Sequence, residues 1–80
     1  MNDDRRKELQ AIAALVSQAR ERMQAAANAE QKDYENLTEC VRLGNLGQWM
    51  HEVIEELATM AAELESVLIG IEEACEVANV

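Results

Sequence analysis

Eight glutamates crowd the second half of this 80-residue chain. They stand as Glu52-Val53-Ile54-Glu55-Glu56, then Glu63 and Glu65, then Glu72-Glu73-Ala74-Cys75-Glu76. Carboxylates three or four residues apart share one face of a helix, and two such faces turned toward each other can gather oxygens around magnesium for phosphate chemistry. That chemistry also needs a cation to hold the phosphate, and no lysine or arginine follows Arg42. Cys40 and His51 are the remaining nucleophile and base, but no third residue orients them and no glycine loop offers oxyanion donors. Cys40 and Cys75 lack a C-x-x-C spacing and have only His51 to join them, which argues against zinc and for two reduced thiols. The residues predict no catalytic group, no cofactor and no metal site, hence a protein that is not an enzyme.

The elements that carry these residues are helices. The absence of proline and phenylalanine, with 49% apolar content rich in Ala, Leu, Val and Ile, predicts an all-α fold in a single domain over residues 1–80. Leu9, Ile12, Val16, Ala19, Met23 and Ala26 alternate steps of three and four, the seam of a first long helix over about residues 4–35, with Ala13 and Leu15 widening it and Asn2, Asp3 and Asp4 as candidate caps. Asn36-Leu37-Thr38-Glu39 has the spacing of a capping box and predicts a short helical turn over about residues 37–42. Gly44 and Gly47, bracketing Asn45-Leu46, give the loop signal, and a second long helix follows over about residues 47–78.

That second helix carries two apolar lines. Met50, Val53, Leu57, Met60, Leu64, Val67, Ile71 and Ala74 form one, and Ile54, Ala61, Leu68 and Cys75 form another beside it. Together they exceed what one neighbouring helix covers, and a chain this short buries a modest core. A homodimer is expected, two antiparallel hairpins making a four-helix bundle with Val53, Ile54, Leu57, Ala61, Leu64, Leu68 and Ile71 in the dimer core. An exposed docking groove is the alternative. No apolar run nears the ~20 residues that cross a bilayer. The opening Met1-Asn2-Asp3-Asp4 is also unlike a secretory signal, so no membrane contact and an intracellular location are expected.

Charge supplies a test of direction. Residues 1–42 hold all seven cations against eight acids, and nearly all of the net charge of −9 falls on the remainder. Arg5-Arg6-Lys7 at a helix N-terminus and Glu72, Glu73 and Glu76 at a C-terminus oppose the helix dipole by about 0.3–1 kcal/mol per charge. An antiparallel hairpin brings these clusters together and sets Arg20 and Arg22 opposite Glu63 and Glu65. Exposed pairs contribute about 0–1 kcal/mol each, so they select orientation more than stability. So acidic a chain is repelled by nucleic-acid phosphate, and direct nucleic-acid binding is not expected. A rod of carboxylates can instead imitate a nucleic acid in the cationic groove of another protein. The plainer reading is a solvated face.

The bend gathers the rarer side chains. Tyr34 and Trp49 are the aromatics, His51 the histidine and Arg42 the last cation; Tyr, Trp and Arg are types enriched among binding anchors, and Trp49 with Tyr34 can also plug the end of a bundle. Tyr34 is expected to lie near Trp49. The expected partner-binding residues are Tyr34, Arg42, Trp49 and His51 with Glu52, Glu55, Glu56 and Glu63.

Two resemblances bear on function. The E-x-x-E helices are similar to those of all-α nucleotide pyrophosphohydrolases of the MazG type, but the aspartate and phosphate-binding lysine of that family have no counterpart after Arg42. Tyr34-x-Asn36-Leu37-x-Glu39, the glycine link ending at Gly47, Met50, Glu52-x-Ile54-x-x-Leu57 and Ile71-Glu72-Glu73-Ala74 resemble small acidic helical proteins of bacteriophages and integrative mobile elements, mostly of unassigned function. Such relatives often have proline at Thr38 and serine at Cys40. This resemblance implies a mobile-element origin and the cytoplasm of a bacterial host. It also implies an accessory protein that inhibits a host defence or nucleic-acid-processing protein. The alternatives are an assembly adaptor and a sponge for a nucleotide signal held by Arg5, Arg6, Arg20 or Arg42.

Overall fold

The computed structural model describes residues 2–77, a rod of 58 × 14 × 13 Å. Helix α1 spans Asp3–Glu35, α2 Glu39–Arg42 and α3 Asn45–Val77. The chain is all-α, with the two long helices packed against each other. The expected end of the second long helix at residue 78 lies outside the described residues.

Each boundary has a local cause. Asn2 caps α1: its Oδ1 accepts the Arg5 backbone N–H at 2.8 Å, satisfying a donor that the first turn leaves over. The expected capping box at Asn36 is not formed. The Asn36 N–H still donates to the Lys32 and Asp33 carbonyls and its backbone remains helical (φ −83°, ψ −7°), so Asn36 ends α1 instead of starting α2. The first extended residue is Thr38 (φ −63°, ψ 155°), whose hydroxyl accepts the Val41 N–H at 3.4 Å. Helix α3 starts ahead of the expected position, because the Gly44 carbonyl accepts the Gln48 N–H at 3.1 Å and places Gly47 in the first helical turn.

Neither bend glycine uses a positive φ. Gly47 is needed for another reason. A Cβ there would overlap the carbonyl group of Arg42, so the backbones of α2 and α3 approach at a distance that only glycine permits.

Ser17, Val53 and Glu65 are half-buried at the edges of the seam between the long helices. The seam of α1 runs Arg6, Leu9, Ala13, Val16, Arg20, Met23, Ala27, Glu30, Tyr34, and that of α3 runs Gly47, Met50, Ile54, Leu57, Ala61, Leu64, Leu68, Ile71, Cys75. Both alternate steps of three and four, a heptad seam whose a row in α3 is Gly47, Ile54, Ala61, Leu68 and Cys75. Arg20 reaches Glu65, Nε to Oε2 2.9 Å, and this ion pair marks the antiparallel register. Met23 then lies level with Ala61 and Ala27 with Leu57. Large faces small, which is why Ala27 and Ala61, with Met50, are the most buried apolar side chains.

This seam differs from the expected one by one position on every second turn. Ile12, Ala19 and Ala26 are exposed while Ala13, Arg20 and Ala27 face α3. An apolar-only reading passes over Arg20, whose aliphatic stem can lie in a seam while its head reaches water or a carboxylate. In α3 the d row (Met50, Leu57, Leu64, Ile71) is as expected. Its companions are Ile54, Ala61, Leu68 and Cys75, leaving the line of Val53, Met60, Val67 and Ala74 on the flank.

Candidate binding surface

An antiparallel seam on a and d has two flanks. One is built from the e positions, the other from the g positions of both helices. The e flank is mostly polar: Ser17, Gln24 and Gln31 from α1, His51 and Glu65 from α3. The g flank carries Ile12, Ala19 and Ala26 beside Leu46, Val53, Met60, Val67 and Ala74. Arg20–Glu65 marks the e side. A groove of about 330 Å³ shared by Met23, Met60, Glu63, Leu64 and Val67 marks the g side.

The expected acidic residues lie on the outer b, c and f positions of α3, where the seam leaves them in water. Glu52, Glu55, Glu56 and Glu63 are all exposed. The first three line one shallow groove with Thr59 and Met60. Glu63 stands about two turns on, at the rim of the groove against α1. Of the expected cross-helix pairs, Arg20 finds Glu65. Arg22, two residues and about 200° further round α1, faces solvent and cannot share that partner's side. Near the open end, Arg6 borders a groove with Glu72 and Glu76 and reaches Asp3, Nη1 to Oδ1 3.3 Å.

At the bend the structure unites Tyr34, Arg42 and His51 but not Trp49. Arg42 donates from Nη2 to the carbonyls of Leu37 (3.0 Å) and Glu35 (3.4 Å), a cation set at the C-terminal end of α1 where the dipole favours it. Its guanidinium carbon lies 5.8 Å from the Tyr34 ring centroid. The Tyr34 and His51 rings are 6.0 Å apart, and His51 Nε2 is 3.1 Å from Glu55 Oε1. Arg42 therefore clamps the bend. The expected Tyr34–Trp49 neighbourhood is replaced by Tyr34–His51, because Trp49 is two residues from His51 and turns to the other side of α3. Trp49 is 60% exposed and plugs nothing within the hairpin.

The expected dimer-core residues Ile54, Leu57, Leu64, Leu68 and Ile71 are half-buried against α1, and Ala61 is buried there. Val53 alone of that set lies on the g flank. The apolar side chains that stand open are others. Val41, Leu43, Leu46 and Trp49 at the bend, Met60, Val67 and, on the outer face, Ile69 along α3, and Ile12 and Leu15 on α1 are exposed. Three of them, Leu46, Met60 and Val67, share a line seven residues apart with the half-buried Val53 and the exposed Ala74, a flank row and not part of the seam.

Cys40 is exposed at the bend and Cys75 half-buried near the open end. Among the described residues no three His, Cys, Asp or Glu side chains converge as metal ligands do. No helix among them is long and apolar enough to cross a membrane. Comparison of the chain with models of protein families, with curated proteins and with solved structures finds no match in any of the three.

Proposed function

We propose that this protein is a non-enzymatic accessory protein of a phage or mobile element. In this reading it acts as a homodimeric bundle of two hairpins in the cytoplasm of a bacterial host. Its acidic α3 face occupies the cationic groove of a host defence or nucleic-acid-processing protein. The observation that supports it is the segregation of charge. The outer face of α3 presents Glu52, Glu55, Glu56 and Glu63 to water with no cation after Arg42, so its field adds along the rod instead of cancelling. Origin and host are carried by the resemblance over about residues 30–75.

The nucleotide-sponge reading has less support. Arg20 is paired with Glu65 and Arg42 with main-chain carbonyls, at separate levels of the rod.

The test is capture of partners from host lysate, with wild type set against a variant carrying Glu52→Gln, Glu55→Gln, Glu56→Gln and Glu63→Gln. A partner with a basic groove should be recovered by wild type, weakened by salt and lost with the variant. Recovery undiminished by the four substitutions contradicts the acidic-face reading.

A further inference from the structure

The g flank of α3 has a symmetry of its own. Val53 and Val67 lie one heptad to either side of Met60, and Leu46 and Ala74 two heptads to either side. When a second copy is laid antiparallel across this row about Met60, each contact occurs twice, as in an isologous two-fold interface, and apolar side chains meet apolar side chains at every level. Met60 then meets Met60, Val53 meets Val67, and Leu46 meets the smaller Ala74. We propose that α3 packs antiparallel on α3 of a second copy, with the two-fold axis at Met60.

Gly70 supports this independently. It sits inside a 33-residue helix, where glycine costs about 0.5–1 kcal/mol relative to alanine. Within the chain nothing lies within 4 Å of where its Cβ would be, so no internal contact calls for it. In the proposed register Gly70 falls level, to within about one residue rise of 1.5 Å, with Trp49 of the other copy. The largest exposed side chain of the bend thereby meets the one gap on that face of α3.

As a rod of 58 × 14 × 13 Å the chain exposes 5928 Å², roughly 1,100 Å² more than a compact monomer of 8.9 kDa, so it has area to give to a standard interface of roughly 800 Å² per partner. The rim carries a cost, since Glu56 lies level with Glu63 of the other copy. Salt therefore tightens this contact, the reverse of its effect on a basic partner.

The inference rests on the homodimer reading above, and the test separates the two. In the full chain with Cys40→Ser and Cys75→Ser, Met60→Cys is oxidised and compared with Ser66→Cys on the outer face, while light scattering gives the mass before oxidation. The proposal predicts a dimer that is disulfide-linked through Met60→Cys and not through Ser66→Cys. It also predicts that Gly70→Leu weakens the dimer at least about tenfold by overfilling the gap. A dimer that neither cross-links through Met60→Cys nor responds to Gly70→Leu overturns this interface and leaves the homodimer standing. A monomer overturns both.

Discussion

The two flanks of the hairpin are made from the same pair of helices and are chemically opposite. On the e flank, glutamines and a serine of α1 face His51 and Glu65, and Arg20 closes across to Glu65 at 2.9 Å. On the g flank, Ile12, Ala19 and Ala26 lie beside Val53, Met60 and Val67, with Met60 39% and Val67 50% exposed. One side satisfies itself within the chain and with water. The other leaves apolar surface open, and apolar surface gains about 25 cal/mol per Å² when removed from water. The difference teaches that the seam sets the fold of one chain, while the g flank is the apolar surface that the fold leaves uncovered and that the proposed second copy would cover.

Both flanks depend on the seam, so the largest effect should come from its tightest point. Gly47→Val sets a branched side chain into the Arg42 carbonyl. It should destabilise the hairpin by about 1–3 kcal/mol or more, read as a lowered urea midpoint. Loss of the bend should erase the contrast between flanks altogether. An unchanged midpoint would mean that α2 does not approach α3 so closely.

The contrast itself is tested by placing one charge on each flank. Met60→Glu should shift the protein toward monomer by more than tenfold, because it buries carboxylates at the two-fold contact. Gln24→Glu on the e flank should leave the mass unchanged. Equal responses would remove the distinction.

Trp49→Ala is a gentler question. Trp49 stands at the bend, outside the g row, and is exposed in the hairpin. Thermal stability of the monomer should change by less than about 0.5 kcal/mol, as at other exposed sites, while dimer affinity falls. A large loss of monomer stability would restore the end-plug reading. The smallest effect belongs to Glu65→Gln, which removes the Arg20 pair on the e flank. With both side chains partly exposed it should cost about 0–1 kcal/mol, and less at high salt.

Much of the fold could be read from the residues. The heptad d rows, the Asn2 cap and the opposed charge clusters pointed to two long helices folded back on each other, and α1 and α3 run close to the expected bounds. The a row of α3 was legible as the line Ile54, Ala61, Leu68 and Cys75; what escaped was its start at Gly47 and the a row of α1, where Arg6 and Arg20 replace the apolar residues that a periodicity search counts. The bend escaped in part as well. The glycines suggested a loop made by backbone freedom, whereas Gly47 serves close approach inside a helix and the turn is held by Arg42 on the carbonyls of Glu35 and Leu37. Tyr34 and Trp49 are near neighbours in height but not in direction. Nearness to the turn does not fix direction around α3, and His51, not Trp49, stands on the side of Tyr34.

The central claim is that the open g flank is covered by a second copy of the chain, and its most direct test is the mass of the untouched protein in solution. Sedimentation equilibrium over a wide concentration range, at low and high salt, should give twice 8.9 kDa, with the dimer held more tightly as salt screens the charge of −9 on each copy. A mass of 8.9 kDa at the highest concentration in both salts would contradict it.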